Sequence, residues 1–263
     1  MEILKTRRDI APPNGYATFL PGNDFSRAVS AEDKYVITSF ARSATAPPSG
    51  VTTAIVSESG SVPIYIWMDG TALLWYTEAH GAYLNQYAQH MFENFHAATS
   101  ISFDGISTAK VSNIAGIFSS CQSLASLDLS RFNTGNVTNM GSMFSGCYAL
   151  RSLNLSGFNT SRVTIMRSMF NHCSGLTSLD LSAFDTSSLT NMGSMFYSCS
   201  SLRTIRVSNA FVTDAVTDSA LMFTNCTALV GGAGTAYDSS HIDGEYARID
   251  NPPDSPGYFT EGA

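Results

Sequence analysis

The sequence predicts an α/β solenoid: a right-handed coil of stacked parallel strands and short helical turns, with a small β-rich region at its N-terminal end. Three observations predict it. First, residues 124–149, 150–175 and 176–201 write one sentence three times: "LASLDLSRFNTGNVTNMGSMFSGCYA", "LRSLNLSGFNTSRVTIMRSMFNHCSG" and "LTSLDLSAFDTSSLTNMGSMFYSCSS". Second, Cys121, Cys147, Cys173, Cys199 and Cys226 recur at steps of 26, 26, 26 and 27, and Phe118, Phe144, Phe170, Phe196 and Phe223 keep the same step. Third, 44% of the residues are hydrophobic and only 13% charged, so core material is ample and Ser, Thr, Asn and Gly fill the polar positions.

Within a unit, "LxxLxLS" alternates apolar and polar residues over a short run and reads as a strand. "FNTxxVTNM" places an Asn-Thr turn before a β-branched pair, giving a turn and a second short strand. "SMFxxC" sets Met143, Phe144 and Cys147 at i, i+1 and i+4, the spacing of a short helical turn with one buried side. Parallel strands of successive units would stack at roughly 4.8 Å per rung. The repeated letters Leu124, Leu127, Leu129, Phe132, Val137, Met140, Met143, Phe144 and Cys147 are expected to face inward. One unit alone cannot bury them. Each large apolar side chain contributes about 1.5–3 kcal/mol when buried, against about 1–2 kcal/mol of backbone ordering per residue. Only a stack closes that balance.

The register extends backwards to a degenerate first rung. Phe92 keeps the Phe step, Phe95 stands where later rungs have Cys, and Ala98 stands in the Leu column. One step is irregular, since Phe211 lies 27 residues after Phe184. The extra residue is expected in 207–210, bulging outward while Phe211 and Val216 stay inside. Around the repeats, the sequence divides into residues 1–60, 61–82, 83–229 and 230–263. In 1–60, breaks at 11–13 and 46–50 separate two expected strands, "YVITSFA" and "VTTAIVS". Residues 61–82 read as a hairpin with Asp69-Gly70 at its turn, its aromatics Tyr65, Trp67, Trp75 and Tyr76 covering the open end of the stack or, alternatively, forming a ligand-binding patch. Residues 83–229 are the solenoid, and 230–263 cap its far end with Tyr237, Tyr246, Tyr258 and Phe259.

The unit "LTSLDLSAFDTSSLTNMGSMFYSCSS" resembles the repeat of the BspA-like leucine-rich-repeat surface proteins of bacteria. "IYIWMDGTALLWYTEA" at 64–79 is similar to the segment that often precedes those repeats, and "GGAGTAYDSSHIDGEYARID" with "PGYFT" resembles their closing segment. The resemblance covers roughly residues 62–260. It implies a leucine-rich-repeat solenoid used for attachment and macromolecular binding at surfaces, with no catalytic site to carry over.

The remaining chemistry is mostly exclusion. A net charge of −7, with no basic cluster beyond "KTRR" at 5–8, argues against nucleic acid as a partner. No apolar run has transmembrane length, so membrane insertion is not expected. The basic start has no apolar segment behind it and does not read as a signal peptide. The cysteines stand one rung apart rather than in close pairs, which makes them a small buried ladder rather than metal ligands. His80, His90, His96, His172 and His241 show no ligand spacing, and no nucleophile-elbow motif is present. No metal, cofactor or enzymatic activity is expected. The columns Thr134, Thr160, Thr186, Thr213 and Thr138, Thr164, Thr190, Thr217 are expected to satisfy backbone groups, the alternative being an array that orders water as in ice-binding solenoids. The candidate binding residues are the outward column of the first strand: Asp128, Asn154, Asp180 and Arg206, flanked by serines. Such a face suits a host or cell-surface glycan, or a protein held weakly and multivalently; the alternative is a plain solvated surface. The sequence-level expectation is a non-enzymatic, extracellular attachment module on a bacterial cell surface. The alternative is a phage virion component, a tail or capsid appendage, with residues 1–60 docking to a partner in the particle.

Overall fold

The computed structural model describes residues 15–262; the basic stretch 5–8 and the break at 11–13 lie outside the described residues. The chain is mixed α/β, with parallel and mixed sheets, few helices and, among the described residues, no closed barrel. Its N-terminal part runs β1 (Tyr16–Thr18), α1 (Gly22–Ala28), α2 (Ala31–Val36), β2 (Ser39–Arg42), β3 (Ala54–Ile55), β4 (Ile64–Asp69), β5 (Ala72–Thr77) and β6 (Gly81–Tyr83). The repeats contribute β7 (Ser100–Ile101), β8 (Ile106–Ser107), β9 (Ser178–Asp180) and β10 (Thr204–Val207). The chain closes with a 3-10 turn at Gly244–Tyr246 and β11 (Phe259–Glu261).

β4 and β5 form the expected hairpin, with Asp69 opposite Ala72 and Gly70-Thr71 as the loop, one residue later than the sequence suggested. Gly70 sits at φ +59°, where a side chain is strained. The hairpin lies in a sheet of order β3-β4-β5-β2-β7. That sheet crosses residue 60 and reaches the first rung, because β2 pairs in parallel with both β5 and β7. The N-terminal region is less β-rich than expected. "YVITSFA" splits into the end of α2 and β2, and "VTTAIVS" keeps only Ala54–Ile55 as strand. The cause is local: Ser30 Oγ accepts a 3.0 Å bond from the Asp33 N–H and starts a helix just before the β-branched run.

The stack forms around aligned side chains. All nine expected inward residues of the unit from Leu124 are buried. Phe92, Phe118, Phe144, Phe170, Phe196 and Phe223 stack ring on ring, at 6.1 Å and then 5.7–5.8 Å per step. Single parallel bridges join Tyr87, Asn113, Asn139, Ile165, Asn191 and Asp218 in succession. At the N-terminal end Phe92 meets Phe40 of β2 at 4.8 Å and Phe25 of α1 at 5.7 Å. Trp75 of the hairpin connects to the ring stack through Phe19 and Phe25. At the other end Phe223 meets Tyr258 at 5.1 Å and Phe259 at 5.9 Å.

Two expectations about the units change. The "SMFxxC" segment is a run of tight turns, not a helical turn. A helix would spend its amides inside the segment; here alternate amides leave it for the next rung, as described below. Continuous strand stacking is also confined to the two ends. β9, β10 and β11 pair in parallel, as do β2 and β7, whereas residues 124–130 and 150–155 form no strand. The 27-residue step falls where expected. Val207 is buried in the place of Leu181, Asn209 and Ala210 are exposed, and Phe211 is buried against Phe259 at 5.0 Å. Val216 is half-buried against the core.

Candidate functional site

The long sides of the stack differ in chemistry. On the turn side, four amides per interface donate to carbonyls of the next rung. Between the second and third rungs these are Ile114 to Asn139, Gly116 to Gly141, Phe118 to Met143 and Ser120 to Ser145, at 2.7–3.1 Å. The intervening amides close i→i+3 turns, such as Ser119 to Gly116 and Cys121 to Phe118. Turning this tightly puts two residues per rung at positive φ, Ser142 and Gly146 in one, Ser168 and His172 in the next.

The cysteine thiols complete this side. Each Sγ–H donates to the Phe carbonyl of the rung before: Cys121 to Phe92, Cys147 to Phe118, Cys173 to Phe144, Cys199 to Phe170 and Cys226 to Phe196, at 2.9–3.2 Å. All five are free and buried. Burial pushes the Cys147 and Cys226 thiols up to about 12, and the other three also rise well above the ordinary range. In the first rung Phe95 stands in the cysteine position and is buried against Phe92.

Threonines join the rungs at the corner after the strand segment. Thr134 Oγ1 donates to the Asn159 carbonyl at 3.0 Å and accepts from the Asn159 amide at 2.8 Å. Thr160 does the same with Asp185 at 2.8 and 2.9 Å. On the opposite flank Thr138, Thr164, Thr190 and Thr217 donate back to the carbonyl of the preceding rung. Every member of the two columns bonds a backbone group through its hydroxyl except Thr213, whose contribution is its main-chain carbonyl, which accepts from the Val216 amide.

On the strand side, Asp128, Asn154, Asp180 and Arg206 are all exposed. Three of them hold local turns. Asp128 Oδ1 accepts from the Ser130 amide at 2.9 Å, Asn154 Oδ1 from Ser156 at 3.1 Å and Asp180 Oδ1 from Ser182 at 2.9 Å. Ser102 plays this part in the first rung, accepting from the Asp104 amide at 3.2 Å. The signal was in the sequence as Asp/Asn-Leu-Ser, an acceptor two residues before the amide it takes. The Ser130 bonds, helped by Arg131, hold the Asp128 carboxyl below its ordinary range; the Ser182 bonds and then Arg206 do so for Asp180.

Between these turns the surface opens. A groove of about 340 Å³ separates Ser100, Ser102 and Asp104 from Ser126, Asp128 and Arg131. Two rungs on, a second groove of about 380 Å³ lies between Asn154 and Ser156 on one wall and Asp180 and Ser182 on the other. Arg131, which sequence reasoning passed over, stands 3.6 Å from Asp104 across the first groove. The predicted column is therefore brought together in part. Asn154 and Asp180 share a groove, Arg206 pairs in register with Asp180, and Asp128 lines the other groove. Among the described residues no group of three or more His, Cys, Asp or Glu side chains is placed to hold a metal ion.

Fold and site together define a protein of stacked, self-similar units with one bonded side and one grooved side. A family model matches residues 86–202 and again 151–244, more than half of the chain, and its description is Mycoplasma protein of unknown function, DUF285. The chain belongs to this family. No curated protein and no solved structure matches it.

Proposed function

We propose that this chain is a non-enzymatic attachment protein displayed outside a bacterial cell. In this reading it is a right-handed, leucine-rich-repeat solenoid of the BspA-like kind, binding a cell-surface glycan or protein through its strand side. The observation that carries the reading is the repetition of the grooves. Two repeat-related clefts sit on one face of one stack, each with polar walls of hydroxyls, amides and carboxylates over an apolar floor, Phe103 and Phe132 in one and Leu153 and Leu155 in the other. A ligand that itself repeats, such as a glycan chain, can engage both at once. Each contact is then weak, but the second occurs at the effective concentration set by the first. Neither groove presents a Trp or Tyr of the kind that dominates tight protein interfaces, which favours hydrogen-bonded, multivalent binding.

The test is attachment of the full chain to immobilised glycans and matrix proteins, compared with a variant carrying Asp128→Ser, Asn154→Ser, Asp180→Ser and Arg206→Ser. Serine keeps the local turn, as Ser102 shows. Binding should fall at least tenfold while the melting temperature holds. Unchanged attachment would remove the strand side from the account.

A further inference from the structure

A third cleft lies at the N-terminal end of the stack, on elements that the strand-side reading does not use. It encloses about 600 Å³ between α1, α2 and the first rung, with Ser26, Arg27, Lys34, Tyr35, Asn94 and His96 on its walls. Its chemistry is unlike that of the serine- and aspartate-lined grooves of the strand side. The Lys34 ammonium bonds Ser26 Oγ at 2.6 Å, and among the described residues it makes no ion pair. Asp24 pairs with Arg27 at 3.1 Å, and Glu93, whose charge acts on Lys34 without forming an ion pair with it, lies 3.2 Å from His90 Nδ1. Burial lowers the Lys34 ammonium, and the opposing charge of Glu93 does not make up the difference. Beside it, His96 Nδ1 is buried without a hydrogen-bond partner among the described residues. The imidazole stacks on Tyr35 at 4.5 Å and 30°, and Tyr35 is 67% exposed.

We propose that this cleft binds a carboxylate-bearing saccharide, with the carboxylate against Lys34 and the sugar ring on Tyr35. One under-neutralised ammonium matches one negative charge, which suits a carboxylate better than a phosphate carrying nearly two. The exposed ring face of Tyr35 offers an apolar platform to the C–H face of a pyranose, while Ser30 and Asn94 stand at its rim for the hydroxyls. The cleft would act as an end-on site, separate from the side-on grooves.

The test is titration of the full chain with N-acetylneuraminic acid and with glucuronic acid, followed by ligand-observed NMR, with glucose and inorganic phosphate as comparators. At least one acid should bind, and glucose should not. Lys34→Gln should weaken that binding tenfold or more, Lys34→Arg less, and Tyr35→Ser, an exposed position, severalfold. The fourfold serine variant of the strand side should bind as the unaltered chain does, which separates this site from the proposed attachment face. Should Lys34→Gln fail to fold, Tyr35→Ser carries the test. Binding of neither acid, equal binding by Tyr35→Ser, or tighter binding of phosphate than of both acids would overturn the proposal.

Discussion

The turn side and the strand side of the stack are built from the same 26-residue sentence, yet they cohere differently. Equivalent Phe rings on the turn side step by 5.7–5.8 Å through the central rungs, whereas Phe132, Phe158 and Phe184 on the strand side step by 6.4 and 6.5 Å. The stack therefore fans open toward its strands. Four amides and one thiol cross each interface on the tight side. On the open side the middle rungs satisfy acceptors within their own turns, as Asp128 and Asn154 do, and leave grooves between them. The difference teaches that repetition does not distribute cohesion evenly. One side holds the stack, and the other is free to present a surface.

The largest effect should come from breaking the ring ladder. Phe170→Ala removes a fully buried ring stacked on both neighbours and should cost about 3–5 kcal/mol in urea unfolding. Phe158→Ala, on the fanned side, should fall toward the lower end of that range, since its surroundings have more room to relax. Equal losses would weaken the distinction between the sides.

The corner link comes next. Thr160→Val keeps the shape but leaves both the amide and the carbonyl of Asp185 without their partner, a loss of about 1–3 kcal/mol. Asp250 closes the strand side at the C-terminal end. Its carboxylate accepts from Thr235, Ala233 and Gly257, while its own amide bonds Phe259 of β11. Burial pushes this carboxyl up, but those hydrogen bonds outweigh it and hold it below its ordinary value near 3.8. The folded state thus favours the ionised form more than the unfolded chain does. That stability is fully present above about pH 4 and is lost as pH falls through the depressed folded value. Acid unfolding followed by circular dichroism should show the loss below that point, and Asp250→Asn should remove this part of the pH dependence.

The period, the inward residues and the site of the 27-residue step were legible in the sequence, because packing positions must recur for neighbours to fit. Bond directions were not. Met143, Phe144 and Cys147 at i, i+1 and i+4 satisfy a helix and a run of turns equally, and apolar spacing says nothing of where an amide points. The helix α2 was hidden by the β-branched run after it, although Ser30 followed by Asp33 was a start signal. At the candidate site, exposure of the four residues was legible. Their capping role was overlooked, although Asp-Leu-Ser and Asn-Leu-Ser spell it out.

Two smaller effects sharpen the comparison. With the Cys147 thiol pushed up to about 12 by burial, native protein at pH 8 should resist a thiol reagent until unfolded. Fast labelling of any turn-side cysteine would mean that this side opens easily. Smallest of all, the fourfold serine variant of the strand side should change unfolding free energy by no more than about 0.5 kcal/mol.

The most direct test is residue-resolved amide hydrogen exchange in the native state. The amides of Phe118, Phe144, Phe170 and Phe196, which cross between rungs, should exchange slowest and together, near the global unfolding limit. The amides of residues 127–129 and 153–155, on the open side, should exchange orders of magnitude faster. Equal protection of both sets would show a continuous strand ladder where the structure has grooves, and would contradict a stack held by one side and open on the other.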